Sequence, residues 1–381
     1  MKRKSKVLLV LIAVCAALLF TGTTALADTT VDCPNGAECT THAAAIDSTH
    51  YDTLEDALDA AAASTEQTIV ILNDTTFATA KTIAEGITLT IDLNGKTVIA
   101  SSAITNNGTL TIEDSTAKAD DISGGSGAWK SSVNPAIANY GTLTIDGAKI
   151  SANGMVVSLY DDASMLMESG TLDSTSYAIY SYSSKTNATI KKGIIESINN
   201  FPNSAMSLVI GEENAADDTV IIGDRLSLNK LVQLTIHCGD IKQFSGTYNP
   251  ETMQINCKLR NTASLVLPAG YFLSEGSDET GVYYTIAVLD EENAGAKIET
   301  AAGVTDFYAD AASAVAALQS GDKLTLLKEY DGTLKLDVAG VNIDLGGNRI
   351  GKLDINVYTP SDLPRLSLIH ISSGEKPIDG G

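Results

Sequence analysis

Positive charge is scarce in this chain: 25 Lys and Arg stand against 47 Asp and Glu in 381 residues, a formal charge of −22. A surface so poor in cations has no footprint for a phosphate backbone, which excludes nucleic acid as a partner. Aromatic residues make up only 5%, with a single Trp, and there are four histidines. No Ser/His/Asp or Cys/His arrangement is supported by its flanking residues. Gly124-Gly125-Ser126-Gly127 lacks the following Lys and the strand–helix setting of a phosphate loop. After the N-terminus no apolar run reaches the roughly 20 residues that cross a bilayer. What is present is 44% hydrophobic content with abundant Thr, Ile, Leu, Ala and Gly. That is enough apolar surface for a core, excludes wholesale disorder despite the charge, and suits many short strands.

The two ends differ from the rest. Residues 1–27 have the form of a secretory signal peptide: Lys2, Arg3, Lys4 and Lys6, an apolar run over 7–20, then Ala25-Leu26-Ala27 before Asp28. Cys15 follows Val14, not the small residue a lipidation signal needs. The expected address is therefore secreted or on the cell surface of a bacterium, with no membrane insertion once the signal is cleaved. A Cys-containing segment, 28–42, comes next. At the other end the periodic pattern fails after Gly351. Leu366-Ser367-Leu368-Ile369-His370-Ile371 matches the in-frame product of a transposase sequencing adapter, so residues 357–381 are set apart as a suspect tail.

Internal repetition is the strongest signal. Ile104-Thr105-Asn106-Asn107-Gly108-Thr109-Leu110-Thr111-Ile112 returns as Ile137-Ala138-Asn139-Tyr140-Gly141-Thr142-Leu143-Thr144-Ile145. Weaker copies follow around Val157 and Met167, around Ile179 and Ile190, and from Met206 to Ile222. From Ile112 through Ile145, Met167, Ile190 and Ile222 the steps are 33, 22, 23 and 32 residues, the long ones holding insertions at 117–135 and 212–218. A period near 22 with several short strands per copy calls for a solenoid of stacked coils. Those five residues are expected to form one interior column, and Ile104, Ile137, Val157, Ile179 and Met206 another, on rungs about 4.8 Å apart. Asn106 and Asn139 should form an amide ladder at matching turns.

A helix over 51–63, with Leu54, Ala57, Leu58 and Ala61 on one side and Asp52 or Thr53 as its cap, should close the first coil. The same helix-then-strands unit restarts near Ala294, with a helix over 309–318 and strand segments at 323–327 and 341–348. One module is thus expected over 43–287, closed by a hairpin over 265–286, and a truncated second copy over 294–356.

The Tyr-x-x-Leu-x-x-Ala-Leu helix (Tyr51 to Leu58), the strand Thr90-Ile91-Asp92-Leu93-Asn94-Gly95-Lys96 and the Asn-x-Gly-Thr-Leu-Thr-Ile coils resemble pectin-lyase-like modules of secreted and surface proteins of gut bacteria. The resemblance spans about 43–351. It implies an all-β fold, a right-handed parallel β-helix with a short N-terminal capping helix. It says nothing of chemistry, since that fold hosts lyases, hydrolases, adhesins and passive stalks.

Candidate chemistry is thin. Cys33, Cys39, His42 and His50 form a C-x5-C-x2-H-x7-H cluster. Two thiolates and two imidazoles make a zinc donor set, but the spacing matches no common zinc module, so a Cys33–Cys39 disulfide in an oxidising compartment is the expectation and no metal or cofactor is assigned. Cys238 and Cys257 either pair or are separate buried thiols. Asp161-Asp162, Asp120-Asp121 and Asp217-Asp218 are adjacent acids able to serve in proton transfer or Ca2+ binding, yet such pairs are also common turn residues. Arg225, Arg260 and Arg349 are almost the only guanidiniums available beside them. Asp161 and Asp162 stand as the catalytic pair only if the chain is an enzyme. Tyr140, Tyr160 and Tyr182 share one slot in successive copies, flanked by Asn107 and Val209, either stacking to stiffen the turn or offering a strip for sugar rings. Trp129 with Lys130, in the Gly/Ser-rich insertion, is a further contact candidate, unless the indole folds back as a plug. On that reading, deleting residues 123–131 leaves the fold intact and weakens binding. The leading function is a structural or adhesive module presenting a rigid face to glycans or surface proteins; the alternative is a polysaccharide lyase or glycoside hydrolase.

Overall fold

The computed structural model describes residues 39–202, 204–229 and 231–355, together with the backbone of His370–Ser372. The signal peptide, Cys33 and the remainder of the tail lie outside the described residues. The protein is nearly all-β, with parallel sheets stacked as a β-solenoid. It divides into two compact units, up to Ile195 and from Glu196.

In the first unit each coil contributes three short strands to three walls. The first wall runs Glu66–Ile71, Thr88–Asp92, Thr109–Glu113, Thr142–Asp146, Ser164–Met167 and Asn187–Ile190, all parallel and in register. Period-2 alternation turns one set of side chains inward on every rung. Ile91, Ile112, Ile145, Met167 and Ile190 thereby form one buried column. The second wall stacks Thr75–Phe77, Thr97–Ala100, Ala128–Ser131, Lys149–Ala152 and Thr171–Ser174. The third stacks Lys81–Ile83, Ile104–Asn106, Ile137–Asn139, Val157–Leu159 and Ile179–Ser181, with Ile104, Ile137, Val157 and Ile179 buried in line. The amide ladder is there: Asn106 Nδ2 donates to Asn139 Oδ1 at 2.7 Å, both side chains being buried. Each amide also donates to the following coil, Asn106 to the Thr142 carbonyl and Asn139 to that of Ser164, both at 2.9 Å.

The N-terminal end of the first wall is covered by an antiparallel hairpin, Ala44–Ile46 with Thr49–Tyr51, whose first strand also pairs antiparallel with Glu66–Ile71. Helix α1, Leu54–Ala61, buries Leu54, Ala57, Leu58 and Ala61 against it. Thr53 is the N-cap, accepting from the Asp56 N–H at 3.1 Å.

In the second unit, Ser207–Ile210, Gln233–Ile236 and Met253–Ile255 stack in parallel, with Ile210, Ile236 and Ile255 as the inward column. Here three sequence assignments are corrected. Ile222 does not continue the Ile112 column; it lies in Val220–Ser227 and pairs with Ile241. Met206 precedes Ser207–Ile210 rather than occupying the third wall, and Val209 pairs with Thr235 instead of filling a tyrosine slot. The cause is a coil with an eight-residue strand, Gly193–Asn200, which breaks the 22-residue step. An antiparallel hairpin, Tyr271–Asp278 with Gly281–Val288, follows. Then the capping arrangement recurs: Ala296–Glu299 is antiparallel to both Thr305–Tyr308 and Lys323–Leu326, and helix α2, Ala311–Ala317, starts from the Asp310 cap. Asn342–Asp344 and His370–Ser372 add parallel rungs.

Candidate functional site

The backbone ladder of the third wall sets the tyrosine spacing. Each ring comes from the residue just after a strand, and the Tyr140, Tyr160 and Tyr182 N–H groups donate to Asn106, Asn139 and Leu159 carbonyls at 2.8–3.0 Å. The rings stack along the wall, with centroids 4.6 Å apart at 11° for Tyr140 and Tyr160 and 4.9 Å apart at 3° for Tyr160 and Tyr182. Tyr180 leans on Tyr182 at 4.6 Å and 59°, and Tyr177 on Tyr180 at 5.5 Å. The phenols of Tyr140 and Tyr182 are pushed above their ordinary pKa by partial burial first and by Tyr160 second. Tyr140 and Tyr182 remain 40% exposed. Both faces of the middle ring are covered, so this row shows solvent its edges, its hydroxyls and the two end faces. Tyr177 and Tyr180 escaped the sequence reading because only the strand-end slot was aligned; their signal was the density of Tyr in Tyr177-Ala178-Ile179-Tyr180-Ser181-Tyr182.

The pairing of Trp129 with Lys130 as one exposed contact is corrected. Residues 128–131 are a strand of the second wall, in register with Val98 and Ile150 through Trp129. Strand alternation sends Trp129 inward, fully buried against Phe77 at 5.4 Å, and Lys130 outward. Lys130 lines an outer hollow with Ile99, Ser151 and Asp173. The insertion is not a free loop either. Buried Asp114 accepts from the N–H groups of Gly95, Thr116 and Gly127 and from the Thr116 hydroxyl. A Cβ on Gly125 would stand 2.2 Å from the Asp114 carboxylate, so this glycine run is shaped around an anion the chain itself supplies. Deleting 123–131 therefore removes a rung, its Trp and two glycines of this cradle, and the expectation that the fold survives it is withdrawn.

The adjacent acids do turn work. Asp161 sits at φ 47°, and exposed Asp162 pairs with Lys185 at 3.2 Å. Asp121 accepts from the Ser123 N–H and hydroxyl, which hold it below the ordinary carboxylate range. Asp217 lies 3.5 Å from Lys258. A different acid set is brought together by stacking: Asp92, Glu113 and Asp146 occupy one register position on three successive rungs. Glu113 is raised above 4.5 by burial, then by the charges of Asp92 and Asp146. A hollow of about 390 Å³ lies over Glu113, Asp114, Lys118 and Asp146. The signal was available in Thr-Ile-Asp, Thr-Ile-Glu and Thr-Ile-Asp at repeat-equivalent positions.

At the N-terminal hairpin, Cys39, His42 and His50 each bring one donor atom within 4.8 Å of the others. The disulfide expected for Cys39 involves Cys33, outside the described residues. Cys238 and Cys257 are separate buried thiols, with that of Cys257 pushed up by burial first and by Asp217 and Asp240 after it.

No protein-family model, no curated protein and no solved structure matches the chain. Among the described residues no helix is long and apolar enough to cross a membrane.

Proposed function

We propose that this chain is a secreted or surface-displayed module of the pectin-lyase-like type with a structural and adhesive role, holding a rigid outer face toward glycans or proteins. The observation that carries this reading is the unbroken in-register stacking of the first unit, in which apolar, amide and tyrosine columns are each built from like residues on successive rungs. Such columns immobilise the side chains at their outer edge, so a partner meets groups that are already ordered and loses little entropy of the protein on binding. Tyr140, Tyr160 and Tyr182 supply edges and hydroxyls, with Tyr177 and Tyr180 beside them. Lys130 adds a cation on the second wall. The test is retention on a glycan and surface-protein panel, run with Tyr160→Ala and Tyr182→Ala beside their melting temperatures. Lost retention with the fold intact supports adhesion through this strip. A fall in melting temperature with retention unchanged assigns the strip a purely structural role.

The alternative is a lyase or hydrolase, and one observation favours it: Glu113 is held toward its protonated form beside two acids, as a general acid requires. Asp161 and Asp162, in a solvated turn, supply no such environment. Unsaturated or reducing-end products from a polysaccharide panel, abolished by Glu113→Gln, would establish this reading. Their absence across the panel with Ca2+ present would remove it.

A further inference from the structure

The protein contains the same cap twice, and among the described residues only the first brings cysteine and histidine side chains together. In the first, the Ala43 N–H bonds the Tyr51 carbonyl and the Leu72 N–H bonds the Ala43 carbonyl, each at 2.9 Å. In the second, Gly295 stands to Tyr308 and Leu327 in the same two bonds at the same distances. The registers agree, Ala44 facing Tyr51 and Ile71 as Ala296 faces Tyr308 and Leu326. His42 therefore corresponds to Ala294, His50 to Phe307 and Cys39 to Glu291. A cap of this design folds with Ala and Phe where the first has two imidazoles, so its hydrophobic packing does not require them.

The three side chains nevertheless converge. Cys39 Sγ is 3.2 Å from His42 Nδ1 and 3.7 Å from His50 Nδ1. The Thr41 hydroxyl also lies 3.1 Å from His42 Nδ1. For a tetrahedral zinc with Zn–S of about 2.3 Å and Zn–N of about 2.0–2.1 Å, the sulfur–nitrogen edge is about 3.6 Å, and the two observed distances bracket it. The surroundings also suit ligation. Asn73 Nδ2 donates to the Cys39 and His42 carbonyls at 2.6 and 2.8 Å, fixing the turn that carries both donors. On the far side of the buried His42 ring, the Asp52 carboxylate lies 3.8 Å from Nε2, on the side away from Cys39, where an outer-sphere acid stands when a histidine ligates through Nδ1.

We propose that Cys39, His42 and His50 form a structural zinc site in the N-terminal cap. Sulfur and imidazole donors select a late first-row cation over Ca2+ or Mg2+. Bound there, zinc ties the segment ahead of Ala43 to the hairpin that covers the first coil.

The experiment is zinc analysis of the chain from Asp28 onward, purified under reducing conditions, with affinity from competition against a chromophoric chelator and cobalt substitution to read thiolate ligation. One zinc per chain is expected, with a sulfur-to-cobalt charge-transfer band. His50→Phe and His42→Ala copy the second cap's residues, so circular dichroism should stay unchanged while affinity falls by more than the roughly 10–100-fold typical of losing an outer-sphere partner. Asp52→Asn should fall within that range. Less than about one zinc per ten chains would overturn the proposal. So would affinity indifferent to both histidine variants, or peptide mapping of the exported chain that finds a Cys33–Cys39 disulfide and no zinc.

Discussion

Up to Ile195, the buried columns and the tyrosine row meet like on like, and opposite charges pair singly between coils, as Lys191 does with Glu168 at 2.9 Å; from Glu196, one arginine bridges two acids at once. In the first unit Ile91, Ile112, Ile145 and Ile190 repeat down one wall, Asn106 and Asn139 down another, and tyrosines down the turn. In the second, Asp240 stands beside Lys258 on the next rung, and Arg260 grips Asp240 and Asp278, with Nη1 and Nη2 at 3.0 and 2.9 Å from the latter. Like-on-like stacking suits side chains that bury each other's faces or donate and accept at once. It fails for carboxylates, and the one acid column of the first unit, Asp92–Glu113–Asp146, is relieved by raising Glu113.

The comparison breaks most readily at Trp129. Replacement by Ala should cost about 3–5 kcal/mol in denaturant unfolding, because it empties the second wall between Val98 and Ile150. Trp129→Phe should cost far less, since the buried indole Nε1 has no hydrogen-bond partner to lose. A loss under 1 kcal/mol for the Ala variant would mean the wall does not depend on this side chain.

Asn139→Ala should cost about 1–2 kcal/mol by the same measurement, because the Asn106 amide keeps its bond to the Thr142 carbonyl. Arg260→Ala should act locally instead. Amide exchange across Tyr271–Asp278 and Gly281–Val288 should quicken by roughly tenfold, and the difference should shrink in high salt. Arg260, Thr280 and Lys258 hold Asp278 far below its ordinary 3.8, so its contribution is complete above that pH and lost as the pH falls further. The single, solvent-accessible pairs of the first unit, Lys191 with Glu168 and Lys185 with Asp162, should give a smaller acid-linked opening.

The smallest effect sharpens the contrast. Glu113 has a raised pKa, so the folded state binds more protons than the unfolded one above 4.5, and stability declines as pH climbs through that range. Glu113→Gln should raise the melting temperature slightly at pH 7, with the gain vanishing below pH 4.5, where the carboxyl is protonated in both states.

Repetition made the solenoid, the Ile and Asn columns, both helices and the tyrosine row legible in the sequence, because in a stacked fold equal spacing means direct contact. The first unit's registers follow from that single rule. Where the spacing broke, at Gly193–Asn200, so did the reading, and Ile222, Met206 and Val209 were misplaced. The insertion at 117–135 was opaque for another reason: its Gly and Ser content resembles a loop, and nothing local reveals that the glycines close on the Asp114 carboxylate.

Sequence alone, then, determined the coil, its period and which residues stack, since those depend only on spacing along the chain. Tertiary structure decided which way Trp129 and Lys130 face, which acids meet across rungs, and that Cys39, His42 and His50 converge. Each of these depends on strand parity or on a hairpin closing in space, neither of which a linear motif records.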